Sequence, residues 1–336
     1  MKALAPAGVL LALFATEIAG GFGGQTAVSY IDDLGTLAAA VITSTLCARA
    51  AARHQGRLRS FWGLLAVATG LWALGELLRG VYDLILSGPV PVPSWSDAAY
   101  LAAVPVAAAA LLAHPAVRAR ATGKARAILD GGVIAAAVFF IAWVLLLGPL
   151  WRSTDLSTLG GIVTLAYPSG DFVLLFLIVL LIRGTTDRDR LDLWFLLVGL
   201  VAMTASDAVY AYLVEVADYS TGNLVDIGWV AGYLAMAAAA YAARPQPATT
   251  AARAEPTLTR AALLAPFAPL LTALTLAAIE AHVAHHLDRV AWTTAVVLVV
   301  AVLLRQLLLA ADLYAGSDDE TGLARRVLGS LGGARS

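Results

Sequence analysis

The chain is a succession of long apolar stretches separated by short polar segments. A helix that crosses roughly 30 Å of hydrocarbon needs about 20 mostly apolar residues, and ten stretches come close to or exceed that length. They cover roughly 4–21, 31–50, 61–86, 96–114, 127–150, 160–182, 191–214, 225–243, 260–281 and 290–310. This pattern predicts an all-α, polytopic membrane helix bundle of about ten transmembrane helices, with the lipid bilayer as its surroundings.

The composition excludes most soluble classes of protein. Of the 336 residues, 60% are hydrophobic and 13% are charged, whereas a soluble domain has about 45–50% and about 25%. A water-soluble chain of this length has too little interior to bury so much apolar surface. Basic and acidic residues number 22 and 23, so no positive field attracts phosphate backbones and we expect no nucleic-acid partner.

The sequence offers little for catalysis or metal binding. It contains no P-loop, Rossmann glycine pattern, nucleophile elbow or kinase signature, so we expect no enzymatic activity, no catalytic residues and no cofactor. The single cysteine, Cys47, excludes an internal disulfide. His282, His285 and His286 have the spacing of metal ligands on one side of a helix. Without a second ligand cluster they are weak candidates, and solvated histidines in a short outer loop are the favoured interpretation.

Basic residues alternate between the two sides of the predicted membrane. The loops that follow even-numbered spans, with the lead-ins to the next helix, hold fourteen of them: Arg49, Arg53, Arg57, Arg59, Arg118, Arg120, Lys124, Arg126, Arg183, Arg188, Arg190, Arg244, Arg253 and Arg260. The loops after odd-numbered spans hold only Arg79, Arg152 and Arg289. The positive-inside rule then predicts a multi-pass membrane protein with both termini in the cytoplasm. Lys2 and Lys124 are the only lysines among the 22 basic residues, which favours a GC-rich bacterial genome and hence a bacterial plasma membrane. The first span has some features of a signal peptide, but no convincing cleavage site precedes Glu17, so we expect it to be retained.

The chain also contains an internal repeat. When 61–113 is aligned with 193–242, Trp62 falls on Trp194, Glu76 near Asp207, Asp97 on Asp226 and Tyr100 on Trp229. Spans 1–4 and 5–8 therefore form a predicted parallel duplication, because each repeat has an even number of spans. The predicted organisation is a duplicated eight-helix module at 1–243, a cytoplasmic linker at 244–259, a terminal transmembrane hairpin at 260–310 and a short cytoplasmic tail at 311–336.

Acidic residues stand near the outer ends of the even-numbered spans. They are Asp32 with Asp33, Asp97, Asp171 and Asp226, and three of them follow a Ser or Asn by three residues. One interpretation is helix capping, in which the Ser or Asn accepts a free N–H and the carboxylate opposes the positive end of the helix. The other is a ring of carboxylates around an outward vestibule that selects a cationic or polyhydroxylated ligand.

Ionisable residues also lie within the predicted spans. Glu76, Arg79, Tyr82 and Asp83 share one face of the third helix, and Arg79 reaches either acidic neighbour to form a self-paired group. Asp207 in the seventh helix has no basic residue within a turn, so it must find a partner on another helix, hold a proton or face water. Such residues usually face a bundle interior or a wet cavity. The candidate ligand-binding residues are Glu76, Arg79, Asp97, Tyr100, Asp171, Asp207, Asp226 and Trp229.

Several short runs resemble one signalling family. They are Trp72-Ala-Leu-Gly-Glu76, Ser94-Trp-Ser-Asp97-Ala-Ala-Tyr100-Leu, Leu129-Asp130-Gly131, Leu165-Ala-Tyr167-Pro168-Ser-Gly170-Asp171, Asp226-Ile-Gly-Trp229-Val-Ala-Gly and Leu304-Arg305-Gln306-Leu. Together they resemble the N-terminal multi-pass membrane input region of actinobacterial GGDEF/EAL signalling proteins, over about residues 30–310. The resemblance implies a module that senses or anchors, followed in that family by a cytoplasmic domain that makes or degrades cyclic di-GMP.

The chain departs from that family after Arg305-Gln306. Only 307–336 follows, which is far shorter than a catalytic domain. The segment Asp318–Arg325 is similar to the opening of a GGDEF domain, and both a remnant and a chance likeness remain open. We expect a stand-alone sensory input module with a membrane or cytoplasmic signalling partner and a small ligand in an outward-facing polar cavity. The alternatives are a proton-coupled transporter of small solutes and a structural membrane subunit.

Overall fold

The computed structural model describes residues 4–86, 90–117, 148–153, 157–184, 191–215, 219–243 and 288–307, with single residues at 133–144 and 271–278. Within these ranges every regular element is a helix, which confirms the all-α class. The predicted linker 244–259, the tail 311–336, most of the spans 127–150 and 260–281, and His282, His285 and His286 lie outside the described residues.

The described helices agree closely with the apolar stretches. They are α1 Leu4–Gly20, α2 Gln25–Arg53, α3 Gly56–Gly80 with a π-helical turn at Val81–Ile85, α4 Trp95–Ala113, α5 Gly148–Ser153, α6 Leu159–Gly184, α7 Leu191–Glu215, α8 Asp226–Ala242 and α9 Arg289–Leu307. Six of these helices are long and apolar enough to cross a membrane: α2, α3 with its π-helical turn, α4, α6, α7 and α9. Many of their large apolar side chains are exposed, among them Val67, Leu74, Val198, Val201 and Val297. These features indicate a membrane-embedded protein.

The chain divides into two compact units. One unit contains Met1–Arg120 and Ala142–Thr257, and the other contains Ala121–Ile141 and Leu258–Ser336. The second unit holds α9, where the Asp288 carboxylate accepts the backbone N–H of Ala291 at 2.8 Å. The candidate site lies wholly within the first unit.

Six helices of the first unit form a closed ring, called here the helix ring. Helix α2 packs on α3, α3 on α4, α4 on α6, α6 on α7, α7 on α8, and α8 on α2. Helix α1 packs against α2 and α8. Apolar side chains from five helices line a small gap inside the ring: Leu65, Trp72, Ala107, Leu111, Leu174, Leu196, Leu200 and Met236. All but Trp72 belong to the buried apolar core of this unit, and Trp72 packs against that core.

Glycines allow a close helix crossing between α7 and α8. A Cβ on Gly199 would lie 2.8 Å from the carbonyl oxygen of Gly232, and a Cβ on Gly232 would lie 3.0 Å from that of Gly199. Small residues of this kind let membrane helices approach closely. Gly228 and Gly232 also have the GxxxG spacing that is typical of such contacts, and a Cβ on Gly228 would collide with Ser206 Oγ on α7.

The capping interpretation holds for α4 and is wrong for α2. Ser94 and Asp97 form a capping box, in which the Asp97 N–H donates to Ser94 Oγ and the Asp97 carboxylate accepts the Ser94 N–H. Helix α2 begins at Gln25, so Ser29 and Asp32 lie inside it and cap nothing. The reason is the glycine-rich turn before α2, where Gly21, Gly23 and Gly24 adopt positive φ angles and let the helix start early.

Two arginine side chains cap helices α4 and α8 at the end of the ring where these helices finish. Arg53 Nη2 donates to the carbonyl oxygen of Ala240 near the end of α8, and Arg57 Nη2 donates to that of Leu112 at the end of α4. Guanidinium groups at helix C-termini satisfy free carbonyls and oppose the negative end of the helix dipole. Burial, and to a smaller extent Arg57, lowers the pKa of His114 to about 4, so His114 is neutral at pH 7.

The crossing of α7 and α8 yields a stability prediction. An alanine at position 232 would place its Cβ 2.6 Å from Met203 Cγ and 3.0 Å from the carbonyl oxygen of Gly199. Because the two helices must separate, we expect Gly232→Ala to lower the free energy of unfolding by about 1–3 kcal/mol. The single cysteine, Cys47, is 1% exposed, so its reaction with a fluorogenic maleimide during heating reports unfolding.

The matched control is Gly63→Ala on α3. A Cβ there meets only the Cβ of Ala51, at an ordinary 3.9 Å, and alanine favours a helix over glycine. We expect an unchanged or slightly raised unfolding temperature for this variant. Equal unfolding temperatures for the two variants would contradict the close crossing.

Candidate functional site

Ionisable side chains from every helix of the ring gather toward one end. The group, called here the polar cluster, contains Asp32 and Asp33 from α2, Glu76, Arg79 and Asp83 from α3 and its π-helical turn, Asp97 and Tyr100 from α4, Tyr167 and Asp171 from α6, Asp207 and Tyr210 from α7, Tyr219, Thr221 and Gly222 from the loop before α8, and Asp226, Trp229 and Tyr233 from α8. This is the end at which α2, α4 and α8 begin. The arginines that cap α4 and α8 lie at the other end.

The loop between α7 and α8 brings two carboxylates together. The N–H of Gly222 lies 2.9 Å from Asp226 Oδ2 and 3.2 Å from Asp32 Oδ2, and the N–H of Asn223 donates to Asp226 Oδ2 at 2.7 Å. Gly222 has a φ of 86°, a conformation that suits glycine. Two acidic side chains thus share one backbone donor.

Arg79 is bound by partners from other elements. Its guanidinium lies 3.7 Å from Asp33 Oδ1 on α2, donates to the Tyr219 hydroxyl at 3.3 Å, and stands 6.0 Å from the centre of the Trp229 ring. A pairing along its own helix was one sequence-based expectation for Arg79. In the structure its ion pair joins α3 to α2 instead.

The connection from α7 to α8 is tied into the cluster at two more points. The Tyr219 hydroxyl donates to Asp226 Oδ1 at 3.1 Å, and Thr221 Oγ1 donates to Asp83 Oδ2 at 2.7 Å. Burial raises the pKa of Tyr219, so its hydroxyl keeps its proton and stays a donor. Asp83 lies in the π-helical turn, a feature that often marks functional sites.

Glu76 is held by tyrosines from two other helices. The Tyr233 hydroxyl on α8 donates to Glu76 Oε1 at 2.9 Å, and the Tyr100 hydroxyl on α4 also interacts with this carboxyl group. Gly75 makes room for Tyr100, since a Cβ there would stand 2.5 Å from the tyrosine ring. A residue deep in α3 therefore connects α3, α4 and α8.

Asp207, which has no basic residue within a turn of its own helix, has a hydrogen-bond partner on another helix. Trp229 Nε1 on α8 donates to Asp207 Oδ1 at 2.8 Å. The carboxyl group of Asp171 on α6 interacts with that of Asp207, and Asp171 Oδ2 is buried with no hydrogen-bond partner. Asp97, besides capping α4, accepts the Tyr167 hydroxyl of α6 at 2.6 Å.

The cluster holds far more acid than base. Its carboxyl groups are Asp32, Asp33, Glu76, Asp83, Asp97, Asp171, Asp207 and Asp226, and Arg79 is its one basic side chain among the described residues. Asp32 Oδ1 and Asp33 Oδ2 are also buried without a hydrogen-bond partner. Uncompensated buried charge is strongly unfavourable, so the cluster requires protons or a positively charged ligand. Among the described residues, no three His, Cys, Asp or Glu side chains are grouped as a metal site requires.

The structure brings all eight sequence-predicted ligand residues into this cluster. Sequence reasoning missed Tyr167, Tyr219, Thr221 and Tyr233, which supply hydroxyl donors to the carboxylates. Hydroxyl groups within apolar helices give a weak sequence signal, because tyrosine is common at buried and exposed positions alike. Tyr167 did stand within one of the runs that resemble the signalling family.

No known protein family, curated protein or solved structure matches the chain. The interpretation of the cluster therefore depends on its own geometry.

The contact between Glu76 and Tyr233 yields a second prediction. Tyr233→Phe removes the donor to a buried carboxyl group, which costs about 1–3 kcal/mol of stability. The matched control is Tyr241→Phe on the same helix, whose side chain is 55% exposed. In the Cys47 unfolding assay we expect a lowered unfolding temperature for Tyr233→Phe alone. Equal behaviour of the two variants would argue against a structural role for this hydrogen bond.

Proposed function

We propose that the chain is a stand-alone sensory input module of the bacterial plasma membrane that binds a small ligand at the polar cluster. The observation that carries this proposal is the set of buried carboxylates with unpartnered oxygens, Asp32, Asp33 and Asp171. A purely structural bundle gains nothing from such groups, since each lowers its stability. A site that a ligand completes accounts for them.

The proposed topology has about ten spans with both termini in the cytoplasm. It is supported by the ten apolar stretches and by the excess of basic residues in alternate loops. In this topology the end of the ring that contains Arg53 and Arg57 faces the cytoplasm. The polar cluster, at the opposite end, then opens toward the outside.

A parallel duplication of spans 1–4 and 5–8 is part of the proposal. Exchanging α2, α3 and α4 with α6, α7 and α8 maps the neighbour contacts of the ring onto themselves. Glu76 interacts with Tyr100 in the first half, and Asp207 accepts from Trp229 at the equivalent positions of the second half. These correspondences support an ancestral unit that supplied one acidic residue and one aromatic partner per half.

We propose that the module passes its signal to the cytoplasm, as the resemblance to the actinobacterial input regions implies. Ligand binding would shift a ring helix, and the terminal hairpin 260–310 would pass that shift to the tail 311–336 or to a signalling partner. Arg79 is suited to such a shift, because its contacts join α3, α2 and the loop before α8.

A proton-coupled transporter is the second candidate function. The neighbouring carboxyl groups of Asp171 and Asp207 favour it, since adjacent intramembrane carboxyl groups also serve proton relays. Uptake into proteoliposomes driven by a pH gradient and abolished by Asp207→Asn would select this candidate over the sensor.

Ligand-induced stabilisation tests the proposed function. The purified protein in lipid nanodiscs is heated with methylguanidinium, glucose or acetate, one probe of each charge class, and Cys47 reports unfolding. We expect at least one probe to raise the unfolding temperature in a saturable way. Asp207→Asn and Glu76→Gln should reduce that rise, because both substitutions replace a carboxylate of the cluster.

The matched control for this experiment is Asp192→Asn. Asp192 lies on the same helix as Asp207 but fifteen residues away, about 22 Å along the axis. It should leave the ligand effect unchanged. The absence of any stabilisation, or an equal effect in all three variants, would contradict a ligand site in the cluster.

A further inference from the structure

One corner of the polar cluster is strongly acidic. Asp32, Asp33, Asp83 and Asp226 surround the loop at Gly222, where Asp32 and Asp226 share one N–H donor. Carboxylates this close repel one another unless a proton or another positive charge lies between them. Arg79 supplies a single positive charge to the four.

The corner also contains buried oxygens that are ready to accept hydrogen bonds. Asp32 is 2% exposed and Asp33 7% exposed, and each has one carboxylate oxygen without a hydrogen-bond partner. Buried polar atoms in native proteins are nearly always satisfied. These two oxygens, on adjacent residues of α2, therefore leave two acceptor positions for further hydrogen-bond donors.

The guanidinium of Arg79 makes only a long contact with the carboxylates of this corner. Its distance of 3.7 Å from Asp33 Oδ1 is well beyond the roughly 2.7–2.9 Å of a charge-assisted hydrogen bond. Among the described residues its guanidinium makes one hydrogen bond, to Tyr219. Because the group carries five N–H donors, most of its capacity is unused toward the described residues.

Aromatic rings complete the surroundings of the cation. The ring of Tyr210 lies 4.7 Å from that of Tyr219 and 5.6 Å from that of Trp229, centre to centre. Arg79 stands 6.0 Å from the centre of the Trp229 ring. Aromatic faces beside carboxylates are the usual means of recognising organic cations.

We infer that the ligand of this site is a small organic cation with a guanidinium or alkylammonium group, and that Arg79 is a tethered competitor that partly occupies its place. The inference rests on the proposed function and specifies its ligand. Binding displaces the Arg79 guanidinium from Asp33, and the incoming N–H donors reach the oxygens of Asp32 and Asp33. The site discriminates against anions by charge.

Two isosteric probes test the charge requirement. Methylguanidinium chloride and methylurea have nearly the same shape but differ in charge, and both are added to the full chain in nanodiscs at constant ionic strength and pH 7. We expect methylguanidinium to raise the unfolding temperature reported by Cys47 with a saturable dose response, and methylurea to have no such effect. Equal effects of the two probes would overturn the inference.

The role of Arg79 is tested by removing its charge. If Arg79 occupies the site in about nine-tenths of the molecules, Arg79→Gln raises the apparent affinity for methylguanidinium about tenfold. Arg79→Lys keeps a tethered cation and should bind more weakly than Arg79→Gln. An affinity for Arg79→Gln no higher than that of Arg79→Lys would overturn the competitor role. Should Arg79→Gln not fold, Asp33→Asn decides, since it must weaken methylguanidinium binding at least about tenfold.

The failures of the two proposals are distinguishable. If glucose or acetate stabilises the protein and Asp207→Asn removes the effect, the ligand site stands and the organic-cation inference is wrong. If lowering the pH alone stabilises the protein and no solute does, protons balance the carboxylates and both proposals fail. Asp192→Asn should bind methylguanidinium as the parent protein does.

Discussion

The free-energy cost of placing ionisable side chains among apolar helices determines how the polar end of this protein is built. A carboxylate within the helix ring has no water to solvate it, so it needs a hydrogen-bond donor or a positive charge from a neighbouring helix. Glu76 obtains a donor from Tyr233, Asp207 from Trp229 and Asp97 from Tyr167. Each of these bonds joins two different helices. The same contacts that satisfy the acidic residues therefore hold the polar end of the ring together.

The two ends of the ring are built from different chemistry. At one end arginines donate to the last carbonyls of α4 and α8, and the core of the ring is apolar. At the other end eight carboxyl groups stand against one basic side chain, Arg79, among the described residues, and oxygens of Asp32, Asp33 and Asp171 have no hydrogen-bond partner. A polar ligand therefore finds hydrogen-bond acceptors in the acidic part. A loosely held Arg79 between α2, α3 and the loop before α8 gives such a ligand a group to displace.

Much of the fold could be predicted because membrane spans depend on local composition. The spans of α2, α3, α4, α6, α7 and α9 follow from runs of about 20 apolar residues, and the capping box of α4 follows from its Ser94…Asp97 spacing. The same spacing wrongly predicted a helix cap at Ser29…Asp32, because the glycines before α2 let the helix start earlier, at Gln25. The candidate residues were found because intramembrane charge is rare. Their partners were not, since Tyr233 lies 157 residues from Glu76 and only tertiary packing brings them together.

The outward exposure of the acidic end is tested most directly by labelling of single cysteines in intact cells. In a Cys47→Ala background, Leu224→Cys places a thiol in the loop beside the polar cluster, where Leu224 is 63% exposed. Gln55→Cys places one in the exposed turn between α2 and α3, at the arginine end. A membrane-impermeant maleimide should label the cysteine at 224 in intact cells and the cysteine at 55 only after permeabilisation. The reverse pattern would place the cluster on the cytoplasmic side and contradict an outward-facing sensor.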